Sequence, residues 1–411
     1  FGINYNFFII VVYALLLLIM FIFSRFTTKI IICVLFSATY LILDLPSEES
    51  FWKAGNFFII FSAFLPSLWL LRSTAITMPS VAKTQNLLSN LVSTKILSGI
   101  QVTSHVLGGV INIGTFPLLS SVIPKNAKYK MRQLSGEAAI RGMNTAVLWS
   151  PFFVSFAVGQ LYLPSQSAWL GIIFGLLVAL LFNLISMRFL IGKFTLNYLI
   201  EAISCVKPIF PRLLILSISV LAVGQIFDKT ALNAIVIVIP ILVIVQMLRR
   251  PETIKSIISN LNNLILKSGD EMLLISVSMF LGSILSGSAE IQNFMSNNIG
   301  NNFPFWAMII LLPLIVWIFG LIGIHPIITS APILSLFGPL LSLWEAAFLM
   351  QAHLIGWCAG TATSFTSLSV LTTAENFRLY ISKLVLGPNL FATGCLTFIG
   401  AILLITLNYL F

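Results

Sequence analysis

Residues 356–369, GWCAGTATSFTSLS, place small and hydroxyl side chains inside an otherwise apolar segment, and residues 141–152, RGMNTAVLWSPF, do the same. Hydroxyls and backbone carbonyls freed at a helix break can bind Na⁺, and the N-terminus of a half-helix attracts anions. Each stretch begins 17 residues after the last proline of another interrupted segment. Those segments are LGGVINIGTFPLLSSVIP (107–124) and IGIHPIITSAPILSLFGP (322–339). Unwound backbone inside a membrane is tolerated only where it is buried in protein or lines a water-filled site. The candidate substrate-binding residues are therefore Asn112, Gly114, Thr115, Asn144, Thr145 and Ser150 in the first half. In the second half they are Thr329, Ser330, Thr361, Thr363, Ser364, Thr366 and Ser367. The plainer alternative is that such hydroxyls bond to the preceding turn or hold helices together. TATSFTSLS holds more small and hydroxyl residues than packing needs.

Ionisable groups narrow the chemistry. Arg141 falls one turn into an apolar segment, where it either snorkels to the surface or offers its guanidinium to an oxyanion. His325, in GIHPI at the second interruption, is the candidate for proton coupling. His105 and His353 read as structural, and the three histidines form no metal-ligand cluster. Glu137 and Glu345 sit at the starts of apolar segments, where a carboxylate suits a helix N-terminus. No other carboxylate falls inside an apolar segment, which disfavours a cationic substrate. His353 is eight residues from Glu345 and no HExxH pair is present, so a membrane-embedded enzyme lacks its catalytic constellation. A passive channel has no need of paired broken helices. Cys33, Cys205, Cys358 and Cys395 have no metal or redox spacing and read as small core residues.

The elements that must carry these groups follow from composition. Of 411 residues, 58% are hydrophobic and 8% charged, with a net charge of +10. A soluble domain is about 25% charged, so the figures exclude a soluble globular protein, a disordered chain and a nucleic-acid-binding protein. Unbroken runs such as Phe7–Phe23 lack the alternation of a β-barrel. The expected fold is an all-α polytopic membrane protein with about ten to twelve transmembrane segments. Phe1–Asn6 has neither a basic stretch nor a cleavage site and reads as the lead into a retained span. Thr253–Leu266 carries apolar residues at helical spacing and is expected to lie in the interface as a connector.

Lys and Arg concentrate in cytoplasmic loops. Arg25 and Lys29 put the first turn inside, Asp44, Glu48 and Glu49 put the second outside, and Arg72, Lys83 and Lys95 return the chain inside. Lys125, Lys128, Lys130 and Arg132 follow the segment 96–123, so both of its ends read as cytoplasmic. That favours a re-entrant hairpin over one full span. Arg188, Lys193, Arg249 and Arg250 are inside, and Asn293–Asn302 is outside. Residues 302–342 carry no Lys, Arg, Asp or Glu and read as leaving and re-entering from outside, before Glu375, Arg378 and Lys383 inside.

At one fixed offset the two interrupted segments match at Gly108/Gly323, Ile113/Ile328, Pro117/Pro332, Leu119/Leu334, Ser120/Ser335 and Pro124/Pro339. The loop charges place the copies on opposite sides of the membrane, so two re-entrant hairpins in an inverted repeat are expected. Residues 1–95 read as N-terminal scaffold helices and 96–190 as the first transport core of hairpin and unwound helix. Residues 191–271 read as scaffold helices and connector, and 272–411 as the second core with a C-terminal helix.

With these motifs in hand, the chain resembles the ion transporter superfamily. This group includes dicarboxylate/citrate symporters, arsenite and gluconate permeases and the large membrane subunits of TRAP transporters. GLIGIHPIITSAPILSLFGPLL (320–341) is similar to that family's hairpin segment, and the pattern of hairpin then unwound helix covers 90–170 and 300–390. The Ser-Asn-Thr motif of the dicarboxylate symporters is absent; Asn112 with Gly114–Thr115 is nearest to it, and Thr361–Ser364 is the counterpart. The resemblance implies a scaffold that is often a homodimer and a transport domain that moves in an elevator-like way. The expected function is ion-coupled secondary transport of a small organic or inorganic anion across the inner membrane, driven by Na⁺ or H⁺, with no other cofactor and no nucleic-acid partner. Export of an amphiphilic or lipid-linked substrate on the same fold is the alternative.

Overall fold

A computed structural model describes residues 5–42, 48–92, 95–191, 195–294, 297 and 303–410. Asp44, Lys193 and most of the stretch 293–302 used in the charge analysis lie outside the described residues. Among the described residues the protein is all-helical, with no strand. Six helical courses are long and apolar enough to cross a membrane, or seven if one bent pair is a single span. This is a multi-pass membrane protein.

The lipid-facing helices come first. α1 (Tyr5–Phe23) and α2 (Phe26–Ile42) leave Leu15, Ile19, Phe23 and Phe26 exposed, as helices bathed in hydrocarbon do. α1 seats Tyr13 inward, with its hydroxyl 3.0 Å from Ser276. α3 (Glu48–Ile76) continues past Pro66 over 29 residues and buries Phe61, Phe64 and Leu68. α4 (Pro79–Ser89) starts on a proline, whose missing N–H costs nothing at a helix's first position. α4 was not expected from the sequence.

The interrupted regions follow. α5 (Ile96–Ile111) ends in a 3-10 turn at Asn112–Gly114 that leads into α6 (Thr115–Ser120). Asn112 has φ +56° and ψ −131°, outside the left-handed helical well, a backbone conformation that glycine adopts more readily than residues with a side chain. α7 (Tyr129–Thr145) gives way to a 3-10 turn at Ala146–Leu148 and an irregular stretch at 149–153, then α8 (Val154–Tyr162). α9 (Ser165–Ile191) is a long, half-buried course. α10 (Leu196–Val206) and α11 (Phe210–Ile226) meet at a 70° bend.

α12 (Ala231–Arg249) precedes α13 (Ile254–Lys267), which buries Ile257 and leaves Lys255, Ile258 and Lys267 exposed. It is amphipathic, as its spacing predicts. α14 (Gly269–Gly287) lies against α3, with the Phe58 and Phe280 rings stacked 5.3 Å apart, and leads to α15 (Ala289–Phe294). The second interrupted region is α16 (Phe305–Leu321), α17 (Pro326–Phe337), α18 (Leu343–Ala362) and α19 (Leu368–Phe377). α18 opens on a capping box in which Ser342 and Glu345 bond each other's backbone N–H. The role expected of Glu345 is thus observed. α20 (Ile381–Val385) and α21 (Pro388–Asn408) end the chain.

Three readings of the charges are corrected. Arg72 is not a loop residue: α3 continues to Ile76, and Arg72 is buried within it. Glu137 does not cap a helix: α7 begins at Tyr129, so Glu137 lies two turns inside and is fully buried. Lys95 is not only a topological marker, because its Nζ lies 2.5 Å from Glu201 of α10.

A shift of 215 residues lays α7 on α18, the break after α7 on the break after α18, and α8 on α19, each to within two residues. Helix packing agrees. Between α5 and α7 with the break that follows it, Gly142 abuts the Gln101 carbonyl and Gly109 abuts Trp149. In α16 and α18, Gly356 abuts Pro313 and Gly360 abuts Val316. In both pairs the residue numbers rise together, so the helices run parallel and glycines bring the backbones close.

Candidate functional site

The two breaks meet. Thr361 Oγ1, in the last turn of α18, donates to Asn144 Oδ1 at 2.7 Å, and Asn144 is in the last turn of α7. Nearly three turns earlier in α18, Gln351 donates to the carbonyl of Leu148 in the first break, at 3.1 Å. Contacts at 144/361 and 148/351 mean that α7 and α18 approach antiparallel, each ending beside the other. Asn144 also faces Ser369 Oγ of α19 at 3.5 Å.

Ser367 ties the second break down. Its hydroxyl accepts from the Val370 N–H as the α19 N-cap and donates to the Thr361 carbonyl at 2.6 Å. Thr363 donates to the Ala359 carbonyl and accepts from Trp317 Nε1 at 3.1 Å. Ser364 and Thr366 bond each other at 3.2 Å. In each half, a hydroxyl of the second interruption donates to a carbonyl of the first. Ser150 Oγ reaches the Gly109 carbonyl at 2.5 Å, and Thr366 Oγ1 reaches the Gly323 carbonyl at 2.9 Å. Gly323 has φ +92°, which a side chain would strain.

The other expected residues divide. Thr115 and Thr329 bond back to the Asn112 and Pro326 carbonyls, three residues earlier. Gly114 is half-buried against Ile111 and Ile76. Ser330 is buried, and among the described residues its hydroxyl has no hydrogen-bond partner. Thr145 donates to the Arg141 carbonyl and accepts from Asn183 at 2.8 Å, so it packs against α9 and away from the joint. Arg141 also points elsewhere: its Nε donates to Asn389 Oδ1 of α21 at 2.8 Å, and Nη2 lies 3.5 Å from Glu137 Oε2.

The histidines separate by their partners. Trp149 Nε1, a donor only, gives its proton to His105 Nε2 at 3.1 Å. His105 Nδ1 therefore carries the ring proton and faces Thr145 Oγ1 at 3.0 Å. Both nitrogens of His105 are therefore engaged within the protein. His353 Nε2 donates to the Ser155 carbonyl at 2.9 Å. His325 caps α17, with Nδ1 accepting from the Ile327 N–H at 3.4 Å. Its ring is 5.5 Å from Trp357, whose other neighbour is His353 at 5.4 Å.

Sequence reasoning missed Arg72. It lines a small cavity with Glu271, Ser268 and Val154, and Val154 is the first residue of α8 after the break. Among the described residues, Arg72 Nε has no hydrogen-bond partner. The helical spacing through RSTAI, with no Gly or Pro before Pro79, is the signal that the helix continues past Leu71. Gln351 and Ser369 were also missed; both sit in otherwise helical stretches that give no local sign of a partner 200 residues away. Among the described residues, no three His, Cys, Asp or Glu side chains come together to hold a metal ion.

No family model matches this chain. No curated protein matches it.

Proposed function

We propose that this protein is an ion-coupled secondary transporter of a small organic or inorganic anion, working by alternating access in the cytoplasmic membrane. The observation that carries the reading is the Thr361–Asn144 hydrogen bond, which joins two antiparallel helices where both are interrupted. Broken helices of inverted orientation meeting inside the membrane are how secondary transporters build substrate and ion sites.

Two further features support it. Along α4 and just past it, Gln85 reaches the Leu118 carbonyl of α6 and Ser121 after it, while Leu88 and Leu91 flank Gly99 near the start of α5. Gly114 touches Ile76, just before α4. That order of contacts fits a hairpin with its tip at Asn112–Gly114, α6 returning beside α4. The 215-residue correspondence then makes α16–α17 the second hairpin, and the antiparallel α7/α18 contact fits inversion. The resemblance to the ion transporter superfamily points the same way.

In this reading the substrate binds between the hairpin tips and the two breaks. The Ser330 hydroxyl and the α8 and α19 N-termini face an anion, and Na⁺ or a proton drives the cycle. The test is uptake of carboxylates and oxyanions into proteoliposomes under imposed Na⁺ or proton gradients. Gradient-driven accumulation of one anion class is expected; flux that ignores both gradients refutes the coupled mechanism.

A further inference from the structure

Two basic stretches far apart in the chain come together at one edge of the protein. Lys125, Lys128, Lys130 and Arg132 lead into α7, and Arg378 and Lys383 follow α19. The Tyr129 and Tyr380 rings, about 250 residues apart in sequence, lie 6.0 Å apart. Arg378 ends α19 in a left-handed turn with φ +54°, and the next side chain, Leu379, packs on Gly136 of α7. A cytoplasmic location asks only that each stretch be basic. It does not ask that the two converge.

The patch keeps its charge. Five of the six cations are exposed, and Arg132 is half-buried with its guanidinium 5.9 Å from the centre of the Tyr129 ring. Among the described residues none of the six forms an ion pair. Glu375 is the one carboxylate within 125–132 and 375–383. α7 adds the positive end of its helix dipole, with no acidic residue in its first turn.

The surroundings of the patch point to its occupant. Tyr380 is 70% exposed, and beyond Lys383 the chain exposes Leu386 (62%) and, in the first turn of α21, Phe391 (70%). Exposed tyrosine marks the headgroup level of a bilayer, and exposed Leu and Phe mark its hydrocarbon. The cations therefore stand among lipid headgroups, where each basic residue strengthens attraction to an anionic membrane on the order of fivefold. We propose that this patch binds the phosphate of an anionic phospholipid, drawn from the bilayer beside α21. The phosphate oxygens accept from the Lys and Arg donors, and the acyl chains lie against Leu386 and Phe391. This site is separate from the Asn144–Thr361 joint and does not rest on the transport reading.

The test titrates phosphatidylglycerol and phosphatidylcholine into the detergent-solubilised full chain and counts bound lipid by native mass spectrometry. Phosphatidylglycerol is expected to bind about tenfold more tightly or better. Lys130→Gln/Arg378→Gln/Lys383→Gln is expected to remove most of that preference. Lys255→Gln/Lys267→Gln, at exposed positions of α13, is expected to keep it. In nanodiscs, a photoactivatable phosphatidylglycerol is expected to label 125–132 and 378–391 of the unaltered protein, which serves if the triple variant fails to fold. Equal binding of the two lipids, the same loss in both variants, or labelling elsewhere overturns the proposal. Displacement of the label by soluble glycerophosphoglycerol, at the concentrations at which the lipid itself displaces it, shows a site for soluble anions and overturns it too.

Discussion

Asn144 carries more of the joint than any other side chain, because its one carbonyl oxygen faces both Thr361 and Ser369. Replacing it with Leu strands the buried Ser369 hydroxyl and leaves half-buried Thr361 its bond to the Trp357 carbonyl. The expected loss is about 1–3 kcal/mol of stability, read by thermal unfolding in detergent. Thr361→Val removes one donor that also serves the Trp357 carbonyl, and about 0.5–1.5 kcal/mol is expected. The double variant is expected to cost less than the sum, since the two side chains share one bond. The histidines give a second prediction. His325→Gln is expected to flatten the pH dependence of transport if His325 carries the coupling proton. His105→Gln is expected to lower stability and leave that profile in place, because both nitrogens of His105 are already committed. A profile unchanged in His325→Gln retires His325 as the coupling group.

The helices of each half are held at distances that only glycine allows. A Cβ on Gly142 would overlap the Gln101 carbonyl, and one on Gly320 would come within 2.8 Å of the Gly360 Cα. Backbone cannot yield as a flexible side chain does. Gly142→Ala and Gly320→Ala are each expected to cost about 1–3 kcal/mol or more, measured as a fall in melting temperature. Gly269, at the start of α14, has nothing within 4 Å of its would-be Cβ. Gly269→Ala is expected to be neutral or to stabilise by up to about 1 kcal/mol, since Ala loses less backbone freedom in a helix. Equal losses at all three positions contradict the close-packing account. The elements themselves were largely legible: RGMNTAVLWSPF and TATSFTSLS mark the two interruptions because small, polar and proline residues weaken a helix locally. The start of α7 was not legible, because Lys128–Arg132 reads as a loop until Glu137 and Arg141 find partners further along.

At the scale of the whole molecule, inversion has a direct consequence. The turn between α6 and α7 and the turn between α17 and α18 occupy equivalent places in the two halves, 215 residues apart. If the halves are inverted, those turns open on opposite sides of the membrane. In a cysteine-free background, an impermeant maleimide added from one side is expected to label Asn126→Cys or Leu340→Cys, but not both. Labelling of both from the same side refutes the inverted arrangement. The charges of Lys95 and Arg72 show why loop counting is a weak guide to individual residues. A basic side chain marks a face only when no carboxylate claims it, and Glu201 and Glu271 each sit near one of these two.

The sequence by itself determined that this is an all-helical membrane protein, where its helices are interrupted and that the interruptions recur at a fixed spacing. Those properties are local: they depend on apolar length and on residues that a helix tolerates poorly. Only the tertiary structure decided that Asn144 meets Thr361, that Arg141 turns away to Glu137 and Asn389, and that Arg72 is buried beside the first break. Each of those outcomes pairs groups far apart in the chain. A polar side chain in a membrane protein goes wherever folding brings a partner, and its neighbours in sequence do not say where that is.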